Sequence, residues 1–175
     1  YVMIGMDHYA LPEDELAIAL KNRTLHRNFM GYTTLHNMVQ IGVGVSAISD
    51  FGNSYWQNPK NLDQYMKETS DNKLIPRRKM RLDKEDMLRR EVIETLMCHG
   101  EIFIPDFESR YKIDFRNHFE QAWAKLEQFA KEGLVSLSSQ KIDLTPVGML
   151  FTRNLAMPFD RYLEESGSLQ FSNTV

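Results

Sequence analysis

A single cysteine, Cys98, stands among 175 residues, which excludes an internal disulfide framework and fits a reducing compartment. Long apolar runs are missing as well. The longest uncharged apolar-rich stretch, Met38 to Ser49, is far short of the roughly 20 residues a membrane helix needs, and it contains Gln40, Gly42 and Gly44. Nor is there an excess of positive charge. The 21 Lys+Arg against 24 Asp+Glu leave a net charge of -3, so neither nucleic acid nor an anionic membrane meets an electrostatic footprint. No targeting signal opens the chain, and the expectation is a cytoplasmic protein. What is present is the 42% apolar content of a globular domain, expected to form one or two compact units. The strand-like opening Tyr1-Val2-Met3-Ile4-Gly5, without a polar lead-in, is expected to lie inside a larger fold.

Texture divides the chain. The first part is rich in Gly, Asn, His, Thr and Ser, whereas the second is strongly periodic. The seam is expected at Asp71 to Arg81, where Pro76 breaks periodicity and Arg77, Arg78, Lys79 and Arg81 form a solvated charge run. Two units follow, 1–75 and 76–175. In the first, Pro12 with Glu13, Asp14 and Glu15 predicts a helix to about Asn22. Val39 to Ser49 reads as a strand whose glycines admit close approach of a backbone or ligand, followed by a turn at Phe51-Gly52-Asn53. Asn58-Pro59 predicts a cap and first turn for a helix to about Thr69.

In the second unit Asp83 with Asp86 predicts a capped helix burying Leu88, Val92 and Leu96. Phe115, Phe119, Ala122, Trp123, Leu126 and Phe129 predict another, stopped by Gly133 with Leu134 folding back on Phe129. A short hairpin, Leu134–Ser138 with Ile142–Leu144, precedes a last helix from Thr145-Pro146 that Pro158 interrupts. Helix, helix, hairpin, helix is the order of a winged helix.

Short motifs carry little. Gly42-Val43-Gly44-Val45-Ser46-Ala47 matches a dinucleotide fingerprint, but turn-forming residues follow where a phosphate-binding helix should begin. Gly44-Val45-Ser46 is half a nucleophile elbow and lacks its closing glycine. Asp7-His8, His26 and His36 lack metal-ligand spacing, so hydrogen-bonded histidines in a pocket wall are expected and no metal is assigned. Cys98 sits on an apolar helix side and reads as structural. The helix carrying Trp123 balances Arg116, Lys125 and Lys131 against Glu120, Glu127 and Glu132, which argues against DNA binding.

Longer words are more specific. Tyr1 to Pro12 (YVMIGMDHYALP), Leu25 to Thr34 (LHRNFMGYTT), Gly42 to Ser49 (GVGVSAIS), Arg89-Arg90-Glu91-Val92-Ile93 and Phe159-Asp160-Arg161-Tyr162-Leu163 resemble the C-terminal portion of the oxygen-independent coproporphyrinogen III oxidases, radical S-adenosylmethionine enzymes of haem biosynthesis. The resemblance runs the full chain. It implies an α+β, mainly helical fold: closing segments of a partial (β/α) barrel covering the active site (1–75), then a winged-helix-like C-terminal domain (76–175). The parent enzyme uses S-adenosylmethionine and a [4Fe-4S] cluster on a C-x-x-x-C-x-x-C motif to convert two propionates of coproporphyrinogen III to vinyl groups. This chain lacks that motif, so the isolated fragment is expected to bind neither and to be inactive alone.

Carried over residue by residue, the resemblance implies that Ile48 contacts S-adenosylmethionine and that Phe29 is an aromatic wall of the active site. No residue is assigned a catalytic role. Met30 departs from the glutamine found at that position in many members. The partners implied are coproporphyrinogen III and the N-terminal barrel of the same chain, with the protein a monomer. A fragment of a non-oxidase relative acting in haem binding or delivery is the alternative reading.

Overall fold

The computed structural model describes residues 1–71 and 78–165. Its fold mixes helices with small antiparallel sheets, and no barrel closes among the described residues. Strand β1 (Val2–Gly5) pairs with β2 (His8–Ala10), bearing out the strand-like opening. Helix α1 (Glu15–Lys21) begins later than Pro12, because Asp14 accepts the Leu16 amide and takes the cap while Leu11 to Asp14 forms a turn. A second hairpin joins β3 (His26–Asn28) to β4 (Gly31–Thr33) through Phe29 and Met30.

Residues 41–47 do not form the expected strand. Only β5 (Ile48–Asp50) is extended, pairing with β6 (Ser54–Gln57) across the anticipated turn, while Gln40 bridges Asp50. The following helix α2 (Leu62–Ser70) is capped by Asn61 rather than Asn58. Strand β7 (Arg78–Arg81) pairs with β6 and completes a three-stranded sheet, while Arg78, Lys79 and Arg81 stay exposed as the charge run predicts. Pro76 and Arg77 at the expected seam lie outside the described residues.

Helix α3 (Lys84–His99) opens with the reciprocal capping box of Asp83 and Asp86. It leads through β8 (Glu101–Phe103) to α4 (Ile104–Tyr111), α5 (Phe115–His118) and α6 (Glu120–Lys131). The expected single helix from Phe115 is thus broken at Phe119, whose ψ of 35° leaves helical geometry. Gly133, at φ 76°, ends α6 as anticipated, with Leu134 donating back to the Phe129 carbonyl. Strands β9 (Val135–Leu137) and β10 (Lys141–Leu144) form the expected hairpin, and β8 adds to its far side in the order β8-β10-β9. The last segment is fragmented into a 3-10 turn at Gly148–Phe151, α7 (Thr152–Ala156), a second 3-10 turn around Pro158, and α8 (Arg161–Glu165).

Two apolar clusters result. The larger unites Leu88, Val92 and Leu96 of α3 with Phe115, Phe119, Trp123, Leu126, Ile142 and Phe159. The smaller gathers Ile4, Ala10, Ala17, Leu25 and Tyr32 around Cys98 from the same helix. Trp123 is buried in the larger cluster, and its indole N–H donates to Glu127 at 2.9 Å. Trp123→Ala is therefore expected to lower unfolding free energy by about 3 kcal/mol in urea denaturation. A loss below about 1 kcal/mol would place the ring outside the core.

Candidate functional site

The β3–β4 hairpin, the β5–β6–β7 sheet, α3 and the start of α8 surround a cleft of about 500 Å³. Its apolar wall includes Phe29, Tyr55, Met80, Leu82, Ile93 and Met97. The turn at Phe51–Asn53 sets Asp50 opposite Tyr55 in the ladder, and cross-strand partners face the same side of a sheet. From α3, Arg90 donates to both Asp50 oxygens at 2.6 and 3.3 Å and to the Gly52 carbonyl at 3.1 Å. Burial opposes the Arg90 charge, but Asp50 prevails and holds the guanidinium above its usual range. Tyr55 packs under the same guanidinium, 5.3 Å from it. Burial pushes its phenol up to about 12 although Arg90 pulls the other way.

Phe29 sits at the hairpin turn, half exposed, and meets Tyr55 edge to face at 5.1 Å. Met30, beside it, is largely exposed, and its amide is accepted by Asn28 at 2.8 Å. Ile48 is elsewhere. It opens β5, half-buried and paired with Gln57, and does not line the cleft that holds Phe29. Gly42, expected to admit a backbone or a ligand closely, admits the chain's own backbone: a Cβ there would lie 2.6 Å from the Ile48 carbonyl oxygen. Asn58, expected as a helix cap, instead donates its side-chain amide to the carbonyls of Gly42 and Gly44, at 3.1 and 2.9 Å. Tyr65 accepts the Gly44 amide at 3.0 Å, so α2 fastens the same loop.

The histidines are only partly assembled. His26 stacks on His36 with ring centres 3.9 Å apart and contacts Glu94 at 3.1 Å, while His8 stands apart beside Asp7 and Tyr32. Among the described residues no three His, Cys, Asp or Glu side chains are placed to hold a metal. Cys98 is buried, and that burial pushes its thiol up to about 12. Sequence reasoning missed Asp50, Tyr55 and Arg27 as cleft residues. The available signal was Arg90, a cation two positions from the buried Leu88 and Val92 and therefore on the far side of α3.

Residues 82–151 match the HemN C-terminal domain. Over all 175 residues the chain is 43% identical to the oxygen-independent coproporphyrinogen III oxidase of Pseudomonas aeruginosa, spanning 38% of that relative. The chain matches the C-terminal portion of the oxygen-independent coproporphyrinogen III oxidases. The Helicobacter pylori oxidase is 39% identical over 175 residues, again with 38% of its length spanned. A solved structure, the coproporphyrinogen III oxidase HemN from Escherichia coli, a radical SAM enzyme, superimposes with a TM-score of 0.85 at 40% identity, covering 91% of this chain and 37% of that one. The chain thus spans well under half the length of these oxidases, and the matched C-terminal domain begins at Leu82, where β7 ends.

The raised Tyr55 pKa makes a signed prediction. A phenol whose native pKa lies above its ordinary value of 10.0 stabilises the fold fully below about pH 10, and that contribution is lost as pH rises toward 12. Tyr55→Phe is expected to flatten the alkaline fall of melting temperature between pH 10 and 12 relative to wild type. Parallel curves would show that Tyr55 ionises freely.

Proposed function

We propose that this chain is the C-terminal part of an oxygen-independent coproporphyrinogen III oxidase, and that the complete enzyme converts two propionates of coproporphyrinogen III to vinyl groups. The similarity of every residue range to the C-terminal portion of such oxidases, at 43% identity over 175 residues, carries this reading. The relatives' shared oxidase name favours it over a haem-delivery role. In this reading residues 1–75 are the closing, active-site-covering segments of a partial (β/α) barrel. Residues 76–175 are a winged-helix-like domain, a proposal supported by the order α3, β8, α4 to α6, β9, β10 and the sheet order β8-β10-β9. The protein works as a monomer in the cytoplasm, without nucleic acid or membrane; no described helix is long and apolar enough to cross one.

S-adenosylmethionine and a [4Fe-4S] cluster would supply the one-electron chemistry when bound. The cluster does not fit here: it takes several thiolates, and the lone Cys98 is buried with its thiol pushed up to about 12. S-adenosylmethionine fits better, with Ile48 as an apolar contact that excludes water from the adenosyl group and Phe29 as an aromatic wall of the active site. Phe29 stands in the cleft wall, and Ile48 at a strand end braced by the Gly42 loop.

Anaerobic reconstitution of the chain is expected to leave no stoichiometric cluster by iron analysis, and Cys98 is expected to resist alkylation at pH 8 until urea unfolds the protein. A cluster on the folded chain, or alkylation at the rate of a free thiol, contradicts this. In the full-length enzyme, wild type is expected to turn over coproporphyrinogen III anaerobically. Ile48→Asp is expected to abolish nearly all of that turnover with the fold and cluster intact, because an unpaired carboxylate against adenine is costly to desolvate. Loss of melting temperature and activity together, with cofactor affinity per folded molecule unchanged, would make Ile48 a core residue only.

A further inference from the structure

Three of the four arginines lining the cleft are neutralised from within the fold. Arg90 is held by Asp50, Arg89 by Glu85 at 2.6 Å and the Phe159 carbonyl at 3.0 Å, and Arg161 by Asp83 and Asp86 at 2.9 and 3.0 Å. Arg27 is different. Its guanidinium lies over the Tyr32 ring at 5.0 Å and interacts with that residue's hydroxyl, but it forms no ion pair among the described residues, and its Nη1 is buried without a hydrogen-bond partner. The neighbouring acid is already engaged: Glu94 binds His26 and accepts the Arg27 backbone amide at 3.4 Å rather than the side chain.

A buried donor left unpaired in a folded protein costs free energy, and a guanidinium presents a fork that matches a carboxylate in two parallel hydrogen bonds. The cleft that Arg27 lines also has Phe29, Tyr55, Ile93 and Met97 as apolar lining, and of its carboxylates Asp50 and Asp86 are paired with Arg90 and Arg161 and Glu94 with His26. A cation in the lining of a cleft of about 500 Å³ with aromatic and aliphatic walls suits a carboxylate joined to a ring by a short chain. We propose that the cleft is a carboxylate-binding site in which Arg27 grips the acid and the Phe29–Tyr55 side receives the attached ring. Resting on the oxidase reading, the natural occupant is one propionate arm of the tetrapyrrole, and Arg27 is a positioning residue for it.

The test uses 3-phenylpropionate and its uncharged amide as probes, titrated into the 175-residue chain and followed by protein NMR. The acid is expected to perturb signals of Phe29, Tyr55 and Ile93. Its affinity is expected to exceed that of the amide by about tenfold or more, to fall about tenfold or more in Arg27→Gln, and to recover in part in Arg27→Lys. Equal binding of acid and amide, or equal affinity in wild type and Arg27→Gln, overturns the proposal. Should Arg27→Gln lower the melting temperature, the comparison of acid with amide on the wild-type chain decides alone.

Coproporphyrin III in the same titrations separates the sources of the carboxylate. Binding that depends on Arg27 supports the propionate arm, whereas binding of 3-phenylpropionate alone overturns the tetrapyrrole assignment. In the full-length enzyme Arg27→Gln is expected to raise KM about tenfold with kcat little changed, as loss of a ground-state contact should. Wild-type turnover with no preference for acid over amide would sink this site and leave the oxidase reading standing. A preference for the acid without turnover of coproporphyrinogen III would do the reverse.

Discussion

Helix α3 is buried on two opposite sides, and the rest of the structure is arranged around that constraint. Leu88, Val92 and Leu96 follow one another at i+4 and enter the larger apolar cluster. Arg90, Glu94 and Cys98 follow the same spacing two positions later, about 200° around the helix, and meet the first part of the chain. One rigid element thus serves two cores. Each fragment on the Cys98 side is too small to bury much surface alone: two hairpins, a seven-residue helix and a three-stranded sheet. They become ordered by borrowing the back of α3.

The contacts on that back are chosen by polarity as much as by fit. Arg90 binds Asp50 and the Gly52 carbonyl, Glu94 binds His26 and the Arg27 amide, and the Met97 carbonyl accepts the Tyr32 hydroxyl at 3.1 Å. Half-buried polar groups tolerate few arrangements, because each lost partner leaves a desolvated charge or dipole. They therefore set the distance between sheet and helix, and with it the width of the cleft. Phe29 and Tyr55 are the residues that profit, since a hairpin turn and a sheet strand meet ring to ring only when both are anchored to the same helix.

Local chemistry explains why some elements were legible and others were not. The Asp83–Asp86 box, the Gly133 stop and the turn at Phe51–Asn53 depend on residues within a few positions of one another, and each stands where the residue types place it. Errors arose where the partner is remote. Asn58 has the composition of a cap, yet its amide is more valuable across the loop, on Gly42 and Gly44, and Asn61 takes the cap. At Gly42 the expected close approach is that of a backbone, the one at Ile48. The basic run before Asp83 is solvated as its charges suggest, with Arg78, Lys79 and Arg81 exposed, but its backbone forms a strand because β6, remote in sequence, needs a partner.

By itself the sequence determined the capped, periodic helices of the second part, the absence of a thiol set for a cluster, and the family words that relate the chain to the oxidases. Those features are written in residue types and short spacings. Only the tertiary structure decided that Phe29 lines the cleft while Ile48 does not, that Asp50 claims Arg90, and that Arg27 alone among the cleft arginines has no carboxylate. The physical reason is that pairing among charges is a competition over distance in three dimensions. Partners such as Asp50 and Arg90, forty positions apart, meet only after the sheet has been laid against the helix.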